Sequence, residues 1–305
     1  MTVIETMDLL AQVSAPLISQ QLAQLIVNGI AVGCIIALAA VGLTLTYGIL
    51  RLANFAHGDF LTLGAYFTLL ANSLGLNIWL AVVLGLVGTV LAVLLTEKLL
   101  WSPMRDRRAS STTLIIISIG IALFLRNGII LFWGGGNQNY DLPVAAAVSF
   151  LGIRVAYYRL IVVGLAILAI LGLHYLLQNT KIGKAMRAVA DDIDLARVSG
   201  INVDQVVIWT WVIAGSLTAL GGGMYGLITA VRPNMGWFLI LPMFAAVILG
   251  GIGNPYGAIA GALVIGIAQE VSTYWLPTEY KLGVALLIMV LVLLVRPQGL
   301  FKGTI

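Results

Sequence analysis

Long apolar runs separated by short polar turns dominate the chain. Four stretches contain no Asp, Glu, Lys or Arg: Leu9 to Leu50, Phe60 to Thr96, Gln205 to Val231 and Pro233 to Gln269. Since about 20 apolar residues cross a bilayer as a helix, each stretch predicts one membrane span or a pair of spans. We predict about nine spans, within a range of about eight to ten: 25–48, 58–76, 78–100, 111–133, 158–178, 206–229, 238–252, 257–273 and 281–296.

The predicted fold class is therefore all-α, a polytopic transmembrane helical bundle in which residues 1–305 form one domain. The second, seventh and eighth spans are short, and the seventh and eighth are alternatively one re-entrant pair. Polar and glycine-rich turns, NSLGLN and GGIGNPYG, separate the short spans from their neighbours.

Lys and Arg residues predict the orientation. They cluster in three places: Arg105, Arg107 and Arg108; Lys181, Lys184, Arg187 and Arg197; and Arg296 and Lys302. Even numbers of predicted spans separate the clusters, so all three lie on one side, which the positive-inside rule identifies as the cytoplasm. Arg51 joins them after the first span. The N-terminus is then outside and the C-terminus cytoplasmic, whereas an eight-span chain would expel the basic tail.

Composition excludes several classes of function. The chain is 61% hydrophobic and 9% charged with a mean hydropathy of +1.06, far from the roughly 25% charged residues of a soluble domain. Two histidines and the single Cys34 argue against a metal site and exclude an internal disulfide. We attribute the net charge of +4 to topology and expect no nucleic-acid partner and no cofactor. The acidic first twenty residues do not resemble a cleaved signal peptide.

One polar segment, residues 179–204, interrupts the apolar pattern. Within it Ile182, Met186, Val189, Ile193 and Ala196 recur at spacings of four and three, which predicts one amphipathic helix over 182–196 that Gly200 ends. A helix lying in the lipid interface is one interpretation. The other is a helix that docks on a soluble protein, which its mixed charge favours because the four basic residues are balanced by Asp191, Asp192, Asp194 and Asp204.

Several stretches carry a resemblance to a known family. RAVADDIDLARVSGI (187–201) resembles the cytoplasmic coupling helix of bacterial ABC importer permeases. VNGIAVGCIIALAAVGLTLTYGILRLANFAHGDFLTLGAY (27–66), LGGIGNPYGAIAGALVIGIAQ (249–269) and LVRPQGLF (294–301) resemble the branched-chain amino acid permeases of the LivH type, including cyanobacterial neutral amino acid permeases. The chain departs from the pattern at NPYG, 254–257.

The resemblance implies a permease subunit in the bacterial inner membrane that imports neutral or branched-chain amino acids. It implies two cytoplasmic ATPase subunits, a periplasmic amino acid-binding protein, and either a second, LivM-like permease or a second copy. The chain has no G-x-x-x-x-G-K-[ST] phosphate loop, so ATP hydrolysis would come from the separate subunits. The implied ATPase-coupling residues are Gly183, Ala185, Arg187, Ala188, Asp191, Asp192, Ala196 and Gly200.

NFAHGDF, residues 54–60, places Asn54, His57, Gly58 and Asp59 at the predicted start of the second span. One interpretation is helix capping, with Asp59 near exposed amides and Gly58 turning the chain. The other is a cytoplasmic gate or a second ATPase contact. Neither a nucleophile nor a second acid accompanies His57 and Asp59, so we do not expect an enzyme.

Arg126 and Glu270 are charges inside the predicted fourth and eighth spans. A charge near the middle of a membrane costs about 2.5–3.5 kcal/mol on insertion scales, so each should face protein or water. Both reach about 20 Å from the inner end of their spans at 1.5 Å per residue. Equal depth predicts an ion pair, within the bundle or across the permease interface. The alternative is that Arg126 extends to the outer surface.

Gly250, Gly251, Gly253, Asn254 and Gly257 form the remaining candidate element. Gly and Pro break a helix here, and broken backbone at membrane depth requires protein or a water-filled cavity around it, which predicts a substrate-facing element. Two alternative functions remain open from the sequence: a urea or short-chain amide permease of the same family, and a secondary transporter that needs no ATPase.

Overall fold

The computed structural model describes residues 3–143, 146–150 and 153–301. Nearly all of its regular structure is helical, with one β-hairpin. The elements in chain order are α1 Val3–Leu50, α2 His57–Ser73, α3 Ile78–Thr96, α4 Ser102–Asp106, α5 Ser111–Trp133, β1 Ala147–Phe150, β2 Ile153–Ala156, α6 Tyr157–Asn179, α7 Lys181–Asp191, α8 Ile193–Val198, α9 Val203–Ile228, α10 Met235–Gly250, α11 Pro255–Ser272 and α12 Lys281–Val295. The antiparallel hairpin, with Ala147 opposite Ala156, was not predicted.

The described residues contain six helical segments that are long and apolar enough to cross a membrane. They are Gln20–Leu50, Ile78–Asp106, Ser111–Trp133, Tyr157–Asn179, Val203–Ile228 and Thr278–Val295. The predicted class, an all-α polytopic membrane protein, is thereby confirmed. Three of the nine predicted spans, now α2, α10 and α11, lie outside this set, and α2 and α10 have only 17 and 16 residues.

The helix α2 begins halfway along the bundle. The His57 imidazole Nε2 lies 2.9 Å from the Ala39 carbonyl oxygen and 2.8 Å from the Thr218 hydroxyl. Ala39 precedes the end of α1 at Leu50 by eleven residues, which is about 16 Å of helix. The segment 51–56 therefore turns back into the bundle, and α2 covers only the remaining half. The second span, predicted as a short span over 58–76, is therefore not a complete crossing.

The helix α10 begins at the same depth and runs the opposite way. A Cβ atom on Gly58 would overlap the Gly236 carbonyl, and one on Gly236 would overlap the Gly58 carbonyl. The Gly236 amide also donates to Thr62 Oγ1 at 2.9 Å. The N-termini of two half-length helices thus meet inside the bundle, and the short seventh span predicted over 238–252 is likewise not a complete crossing.

This arrangement corresponds to an internal repeat. Tyr47-Gly48, Gly58 and Gly75 each have a counterpart at Tyr225-Gly226, Gly236 and Gly253, with the same number of residues separating every pair. Gly75 and Gly253 share left-handed φ angles of +84° and +87°. The contacts repeat as well, since α1 packs on α11 as α9 packs on α3. In this repeat α9 is the counterpart of α1. The end of α1 and the start of α9 line one cavity, so the two helices run in opposite directions and the two halves are inverted.

Glycines allow the central helices to approach closely, and Gly29 and Gly33 on α1 are two of them. A Cβ atom on Gly29 would come within 2.6 Å of the Ile267 backbone, and one on Gly33 within 3.1 Å of the Ala262 carbonyl, both on α11. On the other side of the core, a Cβ on Gly222 would overlap the Leu61 carbonyl of α2. Small residues at such crossings are typical of helix packing in membranes.

Basic residues from three separate parts of the chain meet at one end of the bundle, which we call the Leu50 end. Arg51, Arg105 and Arg197 line a single cavity of about 510 Å³ there. Arg105 was predicted in a loop, but α3 continues through a π-helical turn, Glu97–Trp101, into α4. At the opposite end, the hairpin amide of Arg154 donates to Gln24 Oε1 at 3.0 Å.

Candidate functional site

The polar segment forms two helices at the Leu50 end, not the single helix predicted over 182–196. Thr180 caps α7 by accepting a hydrogen bond from the Gly183 amide at 3.1 Å. Asp192 adopts extended backbone and caps α8, since its Oδ1 accepts from the amides of Asp194 and Leu195 at 2.9 Å. The helix breaks at Asp192 because this capping side chain competes for the backbone. Gly200, at φ +85°, follows the end of α8, as predicted.

The predicted apolar stripe divides between the two helices. Met186 and Val189 on α7 are buried, and Gly183 packs so closely on the last carbonyls of α6 that a side chain there would overlap them. On α8, in contrast, Leu195 is 62% and Val198 80% exposed. The first helix is thus anchored to the bundle and the second presents apolar side chains outwards.

The remaining coupling candidates lie along the same pair of helices. Ala185 and Ala188 are half-buried on α7, and Ala196 is buried on α8. Arg187 donates through Nη1 to the Leu177 carbonyl and to Gln178 Oε1. Asp191 is exposed at the last residue of α7.

A second cluster surrounds the N-terminus of α2. Arg126 on α5 donates from Nε and Nη2 to the two carboxylate oxygens of Asp59, at 3.2 Å each. The Asp59 side chain is 1% exposed and that of Arg126 15%. The Arg126 guanidinium also lies 4.8 Å from the ring centre of Trp237 at the start of α10. A bidentate ion pair and a cation–π contact therefore lie where the two half-length helices meet.

Within the subunit, the predicted pair between Arg126 and Glu270 is wrong. Lys281, at the start of α12, pairs with Glu270, Nζ to Oε1 at 2.5 Å. Equal depth does not specify neighbours, and α5 packs on α2. Asp59 was overlooked as a partner because the second span was expected to begin at the membrane surface.

The other residues of this cluster hold the start of α2 in place. The Nε2–H of His57 donates to the Ala39 carbonyl, which can only accept, and to the Thr218 hydroxyl, which itself donates to Ala214. Asn54 is buried and its Oδ1 accepts from the Ala56 amide at 3.0 Å. Among the residues that the structure describes, no group of three His, Cys, Asp or Glu side chains is arranged to hold a metal ion.

The glycine-rich element is a turn at the Leu50 end, not a helix broken at mid-membrane depth. Gly250 ends α10, Gly251 and Gly253 adopt positive φ, and Asn254 caps α11 through the amides of Tyr256 and Gly257. The Gly253 amide donates to Thr44 Oγ1, only six residues before the end of α1. Hydropathy did not reveal this position because the turn contains no charge.

One further buried polar cluster has no signal in the sequence pattern. Glu97 begins the π-helical turn and pairs with Arg105, while Trp211 on α9 donates from Nε1 to Glu97 Oε2 at 2.6 Å. The stacked ring of Trp101 lies 6.3 Å from that of Trp211. In a regular α-helix, residues eight apart are not directly aligned along one face, so the sequence does not indicate that Glu97 and Arg105 are neighbours. The extra residue of the π turn brings the two side chains together.

A polytopic helical bundle with inverted halves, a buried ion pair at its centre and an amphipathic helix pair at one end defines a membrane transport subunit. Comparison with known proteins gives the family. The protein-family model described as "Branched-chain amino acid transport system / permease component" matches residues 25–293 of this chain. The chain therefore belongs to this permease family, which functions in transport and not in catalysis. This membership and the six long apolar helices confirm the predicted location as a multi-pass protein of the bacterial inner membrane.

Two curated relatives and one solved structure illustrate the similarity. The high-affinity branched-chain amino acid transport system permease protein LivH of Salmonella typhimurium is 32% identical over 291 residues, 90% of this chain and 93% of the relative. BraD of Pseudomonas aeruginosa, described in the same words, is 30% identical over 91% of this chain and 94% of its own length. The structure of PsaBC from Streptococcus pneumoniae has a TM-score of 0.52 at 14% identity, covering 90% and 92% of the two chains, and supports the fold alone.

Proposed function

We propose that the chain is the permease subunit of an ABC importer for neutral, mainly branched-chain amino acids. In this proposal residues 1–305 form one membrane domain, and residues 179–204 are its coupling loop. Two cytoplasmic ATPase subunits, a periplasmic binding protein and a second permease, homologous or identical, complete the transporter. The description of LivH and BraD as branched-chain amino acid permeases supports this choice of substrate.

The proposed orientation places the Leu50 end in the cytoplasm. Arg51, Arg105 and Arg197 meet at that end, and the positive-inside rule assigns such a cluster to the cytoplasmic side. The tail belongs to the same end, since the Leu300 amide donates to the Leu249 carbonyl at the end of α10 at 2.8 Å. The N-terminal end of the α1 span, near Gln24, is then periplasmic.

The observation that carries the proposal is the exposed face of α8. Leu195 and Val198 are apolar and exposed beside Asp194 and Arg197, which form an ion pair at 3.6 Å. Apolar residues ringed by mixed charges are typical of a surface that docks on a protein. α7, anchored on α6 through Gly183, would transmit the movement of a docked ATPase to the bundle.

The meeting point of α2 and α10 is the proposed centre of the translocation pathway. Half-helix N-termini carry partial positive charge, and in many transporters they face the substrate near mid-membrane. We assign Asp59 and Arg126 to this centre because their ion pair borders the exposed ring of Trp237. Asn54, His57 and Gly58 would act as the gate that positions α2, through the bonds described above.

Substitutions on α8 test the proposal. Leu195→Asp and Val198→Asp should each lower ATP-driven leucine uptake at least about tenfold in proteoliposomes containing the complete transporter, because loss of one interface anchor costs about 2 kcal/mol or more. The ATPase subunits should also fail to co-elute with the permease. Leu276→Asp is the matched control, since Leu276 is 44% exposed in the turn at the opposite end.

Three results would contradict the proposal. Full uptake by both α8 variants would remove the coupling role. Uptake by the purified permease alone, without ATPase, would indicate a secondary transporter. Competition by urea, but not by leucine or alanine, would indicate the amide-transporting alternative.

A further inference from the structure

A cavity of about 540 Å³ separates α7 from the bundle at the Leu50 end. Four parts of the chain enclose it: Gly48 on α1, Leu177 on α6, Met186 on α7, and Asn254 with the residues that follow it. Most of the lining is apolar, including Tyr256 and Pro255 at the start of α11. This volume holds a small apolar molecule with a few well-placed polar groups, as is usual for ligand sites.

Two opposite charges on one helix face line this cavity. Arg187 and Asp191 are four residues apart on α7, a spacing that places side chains side by side and usually allows an ion pair. They do not pair. Instead, Arg187 is drawn towards the end of α6 by the Leu177 carbonyl and Gln178. Of the described residues, no Lys or Arg lies within ion-pair distance of Asp191.

The position of Asp191 favours contact with a cation. It is the last residue of α7, where the free carbonyls of a helix carry partial negative charge. Arg51 Nη2 donates to the Ala190 carbonyl at 3.5 Å at this end, but it does not form an ion pair with the Asp191 carboxylate, which is left for an ammonium group. Arg187 lies one turn earlier on α7. Only its Nη1 bonds to α6, so its other N–H groups can donate to a carboxylate.

We propose that this cavity binds a free amino acid with an aliphatic side chain. The α-carboxylate lies at Arg187, the α-ammonium at Asp191, and the side chain extends between Met186 and Tyr256. The Cβ atoms of positions four apart on a helix are about 6 Å apart, so a zwitterion, whose two charged groups are attached to one carbon, can contact both side chains at once. The inference rests on the proposed function for two points, that the Leu50 end is cytoplasmic and that such amino acids arrive there.

Occupancy of the cavity has a consequence for transport. A bound amino acid connects α7 with the turn at Asn254 and with Gly48 on α1. The coupling segment is then fixed relative to the bundle at the point where ATPase movement would enter it. The imported product, once accumulated in the cytoplasm, therefore slows its own uptake.

Equilibrium dialysis of radiolabelled leucine against the purified permease, without ATPase and in lipid nanodiscs, tests the site. Leucine should bind saturably. 4-Methylpentanoate lacks the ammonium and 3-methylbutylamine lacks the carboxylate, so each should bind at least about tenfold more weakly. Arg187→Gln and Asp191→Asn should weaken leucine binding by a similar factor. Lys184→Gln and Asp194→Asn, nearby charges outside the cavity lining, are the controls and should bind leucine as the unchanged chain does.

A variant that fills the cavity gives a separate readout. Gly48→Leu should abolish leucine binding, and the position tolerates a side chain because a Cβ there meets only ordinary contacts, 3.6 Å from the Gly253 Cα. Absence of saturable binding, binding that survives both charge variants, or equal affinity for the amine would each overturn the site. ATP-driven uptake by the complete transporter is measured in parallel. Uptake without dialysis binding contradicts the cavity site alone, whereas binding without uptake contradicts the proposed function alone.

Discussion

The buried ion pair between Asp59 and Arg126 gives a prediction that can be worked through from the structure. Arg126→Gln removes the charge and leaves a shorter polar side chain with two N–H donors in place of five. Asp59, 1% exposed, is then left as an unpaired carboxylate inside the bundle. Because removing one partner of a buried pair leaves the other uncompensated, we expect Arg126→Gln to destabilise the fold strongly.

The expected loss is about 3–5 kcal/mol, the range measured for one-sided removal of buried pairs. A Coulomb estimate agrees, since unit charges about 4 Å apart at an effective dielectric of about 20 interact by about 4 kcal/mol. Asp59→Asn should cost less than Arg126→Gln, because the charge it leaves behind, on Arg126, is 15% exposed, whereas the Asp59 carboxylate is 1% exposed. The double variant leaves no isolated charge, so it should be more stable than Arg126→Gln alone.

Denaturant titration in mixed micelles measures these differences, and a double-mutant cycle isolates the pair. Glu270→Gln is the control that separates this pairing from the one predicted at equal depth, because Glu270 pairs with Lys281. Its effect should add to that of Arg126→Gln within about 0.5 kcal/mol. The reasoning is refuted if Arg126→Gln is as stable as the unchanged chain, or if Arg126 couples to Glu270 and not to Asp59.

Two further predictions concern packing and the π-helical turn. Gly236→Ala should destabilise the bundle by about 3 kcal/mol or more, because its Cβ would overlap the Gly58 carbonyl; Gly128→Ala, in open space on α5, should be neutral or slightly stabilising in the same titration. Trp211→Phe should cost about 1.5–3 kcal/mol, because a charged acceptor, Glu97, loses a buried donor. An unchanged unfolding midpoint for Trp211→Phe would show that this hydrogen bond is not stabilising.

The hydropathy pattern predicted the bounds of the well-separated helices closely. The fourth span was predicted over 111–133 and α5 is Ser111–Trp133; the fifth, over 158–178, is Tyr157–Asn179. These helices have polar or glycine-rich ends and an exposed apolar surface, so hydropathy alone defines them. The single helix predicted over 182–196 divided because one capping side chain, Asp192, ends α7 and starts α8. Apolar spacing continues across such a cap and does not reveal it.

The sequence indicated several residues of the buried cluster but not which of them pair with one another. Asp59, His57 and Arg126 were selected from the sequence, yet the bonds that define the cluster join residues 67 and 161 positions apart. Such pairings depend on which helices are neighbours, and neither depth nor spacing specifies that. The internal repeat was the available signal, because the matching glycines at 58 and 236 mark the two N-termini that meet.

Hydropathy predicted the ends of the two half-length helices to within about three residues but not their depth. The segment LANFAH lies between the first two predicted spans and was expected at the membrane surface, whereas it turns back into the bundle. Hydropathy reports that a segment lies in apolar surroundings but does not distinguish lipid from protein. Irregular backbone at this depth is stable only where protein satisfies its polar groups. Here the Phe55 amide donates to Ser118 Oγ at 3.1 Å and the Ala56 amide to Asn54, so side-chain acceptors within the bundle, not lipid, allow α2 to begin at half depth.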